Sequence, residues 1–444
     1  MVATPERWIH AAAQPSSQEV TVICGRDKSL THRAVMFASL ASGFSRIHQP
    51  LLGADCLSTM DCFRALGVRI ETLSPTCVGV ISRGFRSFQS PTRDLDCGNS
   101  GTTARLMLGI LAAQKDLRCR LVGDESLSQR PMRRVVDPLR KMGAEIQGAE
   151  QGNFLPLSIR GQLLHPEAIH VDKASAQVKS ALILAGLFCE GDTTVTLPTG
   201  SRDHSEKLLM RMGAQLQRTQ REGLEEIRIH GPFAPLAGEF HIPVDPSSAA
   251  FFAVLGLLRS QGVINIPHVL SNPTRIGFLR VLQRMSGALE TAEESDLKQT
   301  MIEPVFRIRL RGGMALHPTH ILPRDVPTLV DEIPILAVAA AFADGPSRFE
   351  GLEELRVKES DRLTKTAELL SLAGAEVKIE GDALLIAGGL REVQAFRFDS
   401  VGDHRLAMAA AILARLAKKP CCILDAECVR VSFPDFYEVL DTIV

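Results

Sequence analysis

A pair of helical signals recurs along the chain at intervals of roughly 70 to 90 residues, and this repeat limits the possible folds more than any other property of the sequence. The first signal is a polar cluster followed by an alanine-rich apolar segment. It occurs as Lys28 to Arg33 before residues 34–41, Asn99 to Arg105 before 106–113, and Ser175 to Lys179 before 180–187. It returns as Asp245 to Ser248 before 249–258, Asp331 to Pro334 before 335–343, and Gly402 to Arg405 before 406–416, giving six copies. The second signal is an amphipathic segment that ends at a glycine and runs into a short apolar or β-branched stretch. Five copies stand out, at 62–70, 138–146, 208–216, 282–290 and 368–377; the sixth unit reads as cut short near Leu416 to Ile423. The glycine in each suits the left-handed position that ends a helix, and the stretch behind it suits a strand.

Helices that are apolar on nearly every side are buried rather than amphipathic, so the six alanine-rich helices are expected inside their domains. Each begins at a residue able to cap it: Ser29, Asn99 or Ser100, Ser175, Ser247, Asp331 and Asp403. Free N–H groups and positive dipole are left at those ends. Three repeats per domain would gather three such ends, and two domains facing one another would enclose an anion site. The length of 444 residues fits two domains. The proline-bearing stretch Gly231 to Pro246 divides repeats one to three from four to six. The strand-like residues Glu19 to Cys24 precede the first helix and can pair with the C-terminal half. The expected division is therefore a domain of 25–242 and a discontinuous domain of 1–24 with 243–444.

Composition narrows the function classes. The formal net charge is −1, and there is one Trp and one Tyr, which disfavours a nucleic-acid surface built on basic and stacking side chains. Attraction for anions must be local. The ten cysteines form no CxxC pair or metal spacing and read as free thiols of a reducing cytoplasm. Apolar runs such as 249–258 are too short for a membrane span, and no export signal is evident at the N-terminus.

The polar stretch Arg356 to Arg362 stands before an amphipathic segment. With Ser360 or Asp361 as N-cap, Arg362 falls in the first helical turn, with Lys358 and Glu359 just before it. Lys28, Ser29 and Arg33 open another helix, the last two one turn apart. Gly98 to Thr103 is a small-residue turn that lets backbone N–H groups reach an anion. Arg130 precedes Pro131, which suits a first helical position. Ser175, Gln177 and Lys179 also read as capping and solvated residues, and His204 as a helix-start histidine. His404 and Arg405 lead straight into an apolar helix, where a charge needs a partner or a ligand. Asp331 and Glu359 are the acid/base candidates, and each also has a plain reading, as N-cap and ion-pair partner respectively. A carboxylate among cations stays ionised; once an anionic substrate neutralises them, it can deliver a proton.

These clusters, in this order, resemble the EPSP synthase (3-phosphoshikimate 1-carboxyvinyltransferase) family over nearly the whole chain. The resemblance rests on Lys28 to Arg33, Asp96 to Thr102, Gln129 to Pro131, Ser175 to Gln177, Asp331-Glu332, Arg356 to Arg362, Asp403 to Arg405 and Ser432 to Pro434. It implies an inside-out α/β fold of two domains, each of three βαβαββ repeats with buried parallel helices, and an active site in the cleft between the domains. It further implies transfer of the enolpyruvyl group of phosphoenolpyruvate to the 5-hydroxyl of shikimate 3-phosphate, with release of phosphate.

By the resemblance Lys28, Ser29, Arg33, Ser175, Ala176, Gln177, Arg202, Asp331 and Lys358 hold shikimate 3-phosphate. Lys28, Asn99, Gly101, Arg130, Gln177, Glu359, Arg362, His404 and Arg405 surround phosphoenolpyruvate. Asp331 is expected to be the base, and Glu359 the acid with Lys28 assisting. No metal or redox cofactor is called for, and a cytoplasmic monomer acting on small molecules, with neither nucleic acid nor membrane as partner, is expected. Gly101 leaves room beside phosphoenolpyruvate, which implies inhibition by glyphosate. The chain departs from many members at Ala176, a serine there; at Val431, a lysine there; and at Glu354, where some have asparagine. Arg202 is a candidate replacement for the missing serine.

Three other readings compete. The related enolpyruvyl transferases acting on UDP-N-acetylglucosamine carry a reactive cysteine on a loop corresponding roughly to Gly123 to Arg134, which here has none. RNA 3′-phosphate cyclases need a nucleic-acid surface. A non-catalytic phosphosugar-binding module has no use for both Asp331 and Glu359.

Overall fold

The structure is a computed structural model that describes residues 5–10, 18–297 and 300–443. It divides into two compact units. One holds Asp27–Ile242 with Thr300–Ile302; the other holds the described residues of Met1–Arg26, Pro243–Gln299 and Glu303–Val444.

Each unit contains three sheets built to one plan, in which a parallel pair is extended by antiparallel strands. In the second repeat, Leu95–Asp96 runs parallel to Arg118–Val122, which pairs antiparallel with Leu157–Arg160, and that with Glu145–Gly148. The alanine-rich helix Gly101–Ala112 follows the first strand, and the amphipathic helix Arg133–Lys141 follows the second. This is the expected βαβαββ repeat.

The first sheet of the Asp27–Ile242 unit takes its parallel edge strand, Glu239–His241, from the end of the segment; it pairs with Ser42–His48. In the other unit Glu19–Thr21 does the same for Val263–Leu270. Glu6–Ile9 pairs antiparallel with Cys421–Leu424, so the repeat that looked truncated is completed by the N-terminal strand. Its second helical position holds a 3-10 turn, Ala426–Val431, and the helix Phe436–Thr442.

The six alanine-rich helices are Lys28–Leu40, Gly101–Ala112, Ala176–Gly186, Pro246–Leu258, Ile333–Ala341 and His404–Arg415. Nearly every residue in them is buried. The outer strands alternate instead: in Leu224–Gly231 every second residue is buried. Close helix contact has a visible cause at Gly109, where an added Cβ would lie 2.0 Å from the carbonyl oxygen of Ala181 on the neighbouring helix.

Several helix ends differ from the sequence reading. Lys28–Leu40 is capped by Asp27, whose side chain accepts from the Leu30 N–H at 2.7 Å, so Ser29 lies inside the first turn. Pro246–Leu258 is capped by Asp245 rather than Ser247, because Pro246 takes the first helical position. Asp331 belongs to a 3-10 turn, and Glu332 occupies the cap position of Ile333–Ala341. Ser100, Ser175 and Asp403 cap as expected.

Gly67, Gly143, Gly213 and Gly374 have positive φ after their helices. Gly287 is the exception, because its helix ends at Met285 and leaves through an extended Ser286. Pro131 lies one residue before Met132, the N-cap of Arg133–Lys141, not inside that helix. Among the described residues no helix is long and apolar enough to cross a membrane.

Candidate active site

In the Asp27–Ile242 unit, hydrogen bonds tie the starts of the three buried helices together. From Lys28–Leu40, His32 Nδ1 pairs with the Thr59 hydroxyl at 2.7 Å, and Thr59 pairs with Thr103 at 2.7 Å on Gly101–Ala112. Gln177, near the start of Ala176–Gly186, donates to the Thr102 hydroxyl at 3.0 Å and accepts from Arg105 Nη1 at 2.6 Å. Burial pushes the His32 imidazole down to about 3, so it is neutral at physiological pH and its ring serves as a hydrogen-bonding strut.

A cationic group stands over the Gly101 helix start. Arg130 donates to the side-chain oxygen of Asn99 at 2.6 Å and to the Ser126 hydroxyl at 3.0 Å, while Asn99 donates to Asp124 at 2.7 Å. Burial, then the charges of Arg130 and Arg134, lowers Arg105 to about 10. Like charges crowded at a positive helix end favour an arriving anion. Gly101 faces them: a Cβ there would sit 2.9 Å from Arg105 Nη1 and 3.7 Å from Arg130 Nη1.

Lys28 forms an ion pair with Asp55 at 3.1 Å. Arg33 is buried and turned inward, donating to the Ser205 hydroxyl at 2.8 Å, the Ser29 carbonyl at 2.9 Å and the Ser180 hydroxyl at 3.1 Å. Its side chain thus ties its own helix to Ala176–Gly186 and to the helix His204–Arg211 of the same unit. Lys179 is fully buried and held by Glu206 at 2.6 Å and Glu225 at 3.0 Å, which overturns the reading of a solvated residue. Glu225 also meets Ser201 and Arg218, and Arg218 meets Asp203. Arg202 is half-buried between Ser201 and Asp203, and Ser175 and Ala176 are half-buried at their helix start.

In the other unit, Arg362 organises the second cluster. Asp361 caps Arg362–Leu372, which fixes Arg362 in its first turn. The buried guanidinium reaches Glu359 at 2.5 Å, Asp403 at 2.8 Å and Asp331 at 3.2 Å. Burial alone would lower its pKa, but the charges of Asp403, Glu359 and Asp331 raise it. Asp403, pushed up by burial, is held below the usual carboxylate range by Arg362.

Arg405 lies 3.7 Å from Asp331 through Nη2, so Asp331 sits between two guanidinium groups. Beneath it Glu332 accepts from Ser247, and burial, then the Asp331 charge, raises its pKa. Arg275 binds Asp245 at 2.8 Å and Ser247 at 3.3 Å, so the three helix starts of this unit are also linked. His404 is buried at the start of its helix. Lys358 turns to Glu354 at 2.6 Å. Val431 is half-buried in a 3-10 turn, and the neighbouring Arg430 is an exposed partner of Glu427.

The family model described as EPSP synthase (3-phosphoshikimate 1-carboxyvinyltransferase) matches residues 12–440. The chain belongs to the EPSP synthase family. A Synechocystis relative named 3-phosphoshikimate 1-carboxyvinyltransferase is 46% identical over 93% of this chain and 91% of its own. One of the same name from Aquifex aeolicus is 42% identical over 93% of this chain and 94% of its own. The solved structure of EPSP synthase from Acinetobacter baumannii matches with a TM-score of 0.88 at 34% identity, covering 99% of this chain and 98% of that one. The enolpyruvyl transferase NikO from Streptomyces tendae, 16% identical with a TM-score of 0.76, shares the fold.

Within this member of the EPSP synthase family, residue reasoning missed Arg105, Asp55 and the Lys179 network. Arg105 closes the quoted cluster that begins at Asn99, one turn after Gly101, and that spacing was a usable signal. Glu225 occupies a buried position of an alternating strand, which calls for a buried cation. Nothing local in the sequence says that Lys179 supplies it.

Proposed function

We infer that this chain transfers the enolpyruvyl group of phosphoenolpyruvate to the 5-hydroxyl of shikimate 3-phosphate and releases phosphate. The observation that carries the chemistry is the pair of carboxylates, Asp331 and Glu359, held on one buried guanidinium, that of Arg362. Binding an anion needs neither carboxylate; an addition followed by an elimination needs both a base and an acid.

In the proposed mechanism Glu359 gives its proton to C3 of the enol phosphate, turning the methylene into a methyl group. The 5-hydroxyl oxygen bonds to C2 and its proton passes to Asp331. In the tetrahedral intermediate C3 returns a proton to Glu359, the C2–O bond to phosphate breaks, and phosphate leaves with the proton held by Asp331. Cations lower the cost of the departing charge, each charge-assisted hydrogen bond contributing about 1.5–3 kcal/mol.

On this reading Lys28, Ser29, Arg33, Asn99, Gly101, Arg130, Ser175, Ala176, Gln177 and Arg202 bind substrate at the helix starts of the Asp27–Ile242 unit, and Lys358, Glu359, Arg362, His404, Arg405 and Asp331 are the substrate-binding groups of the other. Arg105 joins them through Gln177. Lys28, released from Asp55, assists proton delivery. The enzyme acts as a cytoplasmic monomer, which sedimentation of the purified chain and fractionation of cells will check.

Phosphate release from phosphoenolpyruvate tests the assignment with shikimate 3-phosphate and with UDP-N-acetylglucosamine as acceptors. Turnover with the first alone is expected; turnover with the sugar nucleotide alone overturns the reading. Because Gly101 leaves the space before Arg105 and Arg130 open, glyphosate at millimolar concentration is expected to inhibit, and full activity under those conditions removes the role given to that space.

A further inference from the structure

Among the described residues, His48, Glu239 and His241 form a group outside the candidate site whose ligand-capable atoms all lie within 4.8 Å of one another. We propose that these three side chains form a binding site for a divalent transition-metal ion of the zinc class. The group is built by strand pairing. Glu239–His241 lies parallel to Ser42–His48, with Glu239 opposite Arg46, Phe240 opposite Ile47 and His241 opposite His48. Successive side chains of a strand alternate between faces, so Phe240 and Ile47 are buried while His48, Glu239 and His241 share the other face.

The two imidazole rings stack with centroids 4.1 Å apart and planes inclined by 10°. His48 Nε2 is hydrogen-bonded to Glu239, which also meets Arg46 at 2.8 Å. Metal–ligand distances are about 2.0–2.2 Å, so small side-chain rotations are enough to bring one carboxylate oxygen and two ring nitrogens onto one ion. Two imidazoles and a carboxylate select zinc, nickel or copper over magnesium and calcium, and solvent supplies the remaining positions. Glu239 would give up its bond to His48 on loading. The ion would fasten a three-residue edge strand to its neighbour, and no residue of the group serves the transfer reaction.

Calorimetric titration of the full chain with ZnCl2 tests the proposal, with MgCl2 as control. One saturable zinc site is expected, weakened at least about tenfold in His48→Ala and in His241→Ala, with no magnesium binding. CoCl2 is expected to give a visible absorption band that both variants lose. Zinc is also expected to raise the unfolding temperature of the wild type only, since it binds only the folded site. Both variants should keep wild-type transferase turnover, which shows them folded. Zinc binding of unchanged strength and stoichiometry in both variants assigns the metal to the thiols and overturns the proposal, as does the absence of saturable binding.

Discussion

Arg362 gathers three carboxylates from three chain segments onto one side chain, and two of them are the groups assigned to proton transfer. Asp331→Ala is therefore expected to lower kcat at least about 100-fold, while the affinity for shikimate 3-phosphate falls only several-fold; steady-state kinetics and equilibrium binding separate the two. Lys28→Met is expected to lose at least about 100-fold in turnover with its helix intact by circular dichroism. The buried Lys179 makes a different prediction. Its loss leaves Glu206 and Glu225 without their cation, at a cost of about 3–5 kcal/mol.

The pH dependence has a definite sign. Glu206 is raised above the usual glutamate range, by burial before any other cause. Its contribution to stability is present below that range and is lost as pH rises through the folded-state value. In Lys179→Met the offsetting cation is gone, so the deficit against wild type in urea unfolding should be largest near pH 8 and shrink toward pH 5. At this scale the sequence was legible where a side chain's role is local: spacing puts the cap at Ser360 or Asp361, of which Asp361 holds it, and Arg362 in the first turn. Lys179 and Arg33 were not legible, because partners 46 and 172 residues away decide whether they face solvent.

The helices were legible as elements because an all-round apolar surface admits only burial. Their caps were less so. An aspartate before the first turn outcompeted the serines inside it at Asp27 and Asp245, and the Asp-Pro pair at 245–246 was the overlooked signal. Gly287 shows the limit of a repeat: an extended Ser286 ends the helix, so that glycine has no left-handed duty.

Gly109 has a duty that no repeat revealed, since its constraint is the neighbouring backbone. A Cβ 2.0 Å from a carbonyl oxygen cannot be relieved by a rotamer, so the helices Gly101–Ala112 and Ala176–Gly186 would have to part. Gly109→Ala is expected to cost about 1–3 kcal/mol or more in urea unfolding, and to raise the KM for phosphoenolpyruvate through the Gln177–Thr102 and Gln177–Arg105 bonds. Unchanged stability and KM would remove that account.

Taken as a whole, the molecule follows a chain path in which both ends of the sequence enter one unit. Deleting the residues through Cys24 removes Glu6–Ile9 and Glu19–Thr21 and opens the edges of Cys421–Leu424 and Val263–Leu270. Limited proteolysis is expected to degrade that unit while fragments of Asp27–Ile242 persist; equal resistance of both would show the two strands to be dispensable.

The same pairing sets a timetable during synthesis. Glu6–Ile9 leaves the ribosome long before its partner Cys421–Leu424, which is made roughly 400 residues later. At about 5–20 residues per second that delay lasts roughly 20 to 80 s. Asp27–Ile242 has its closing strand far sooner, so nascent chains should carry one folded unit beside an unfinished one, and the waiting N-terminal strand is the segment that chaperones would have to shield.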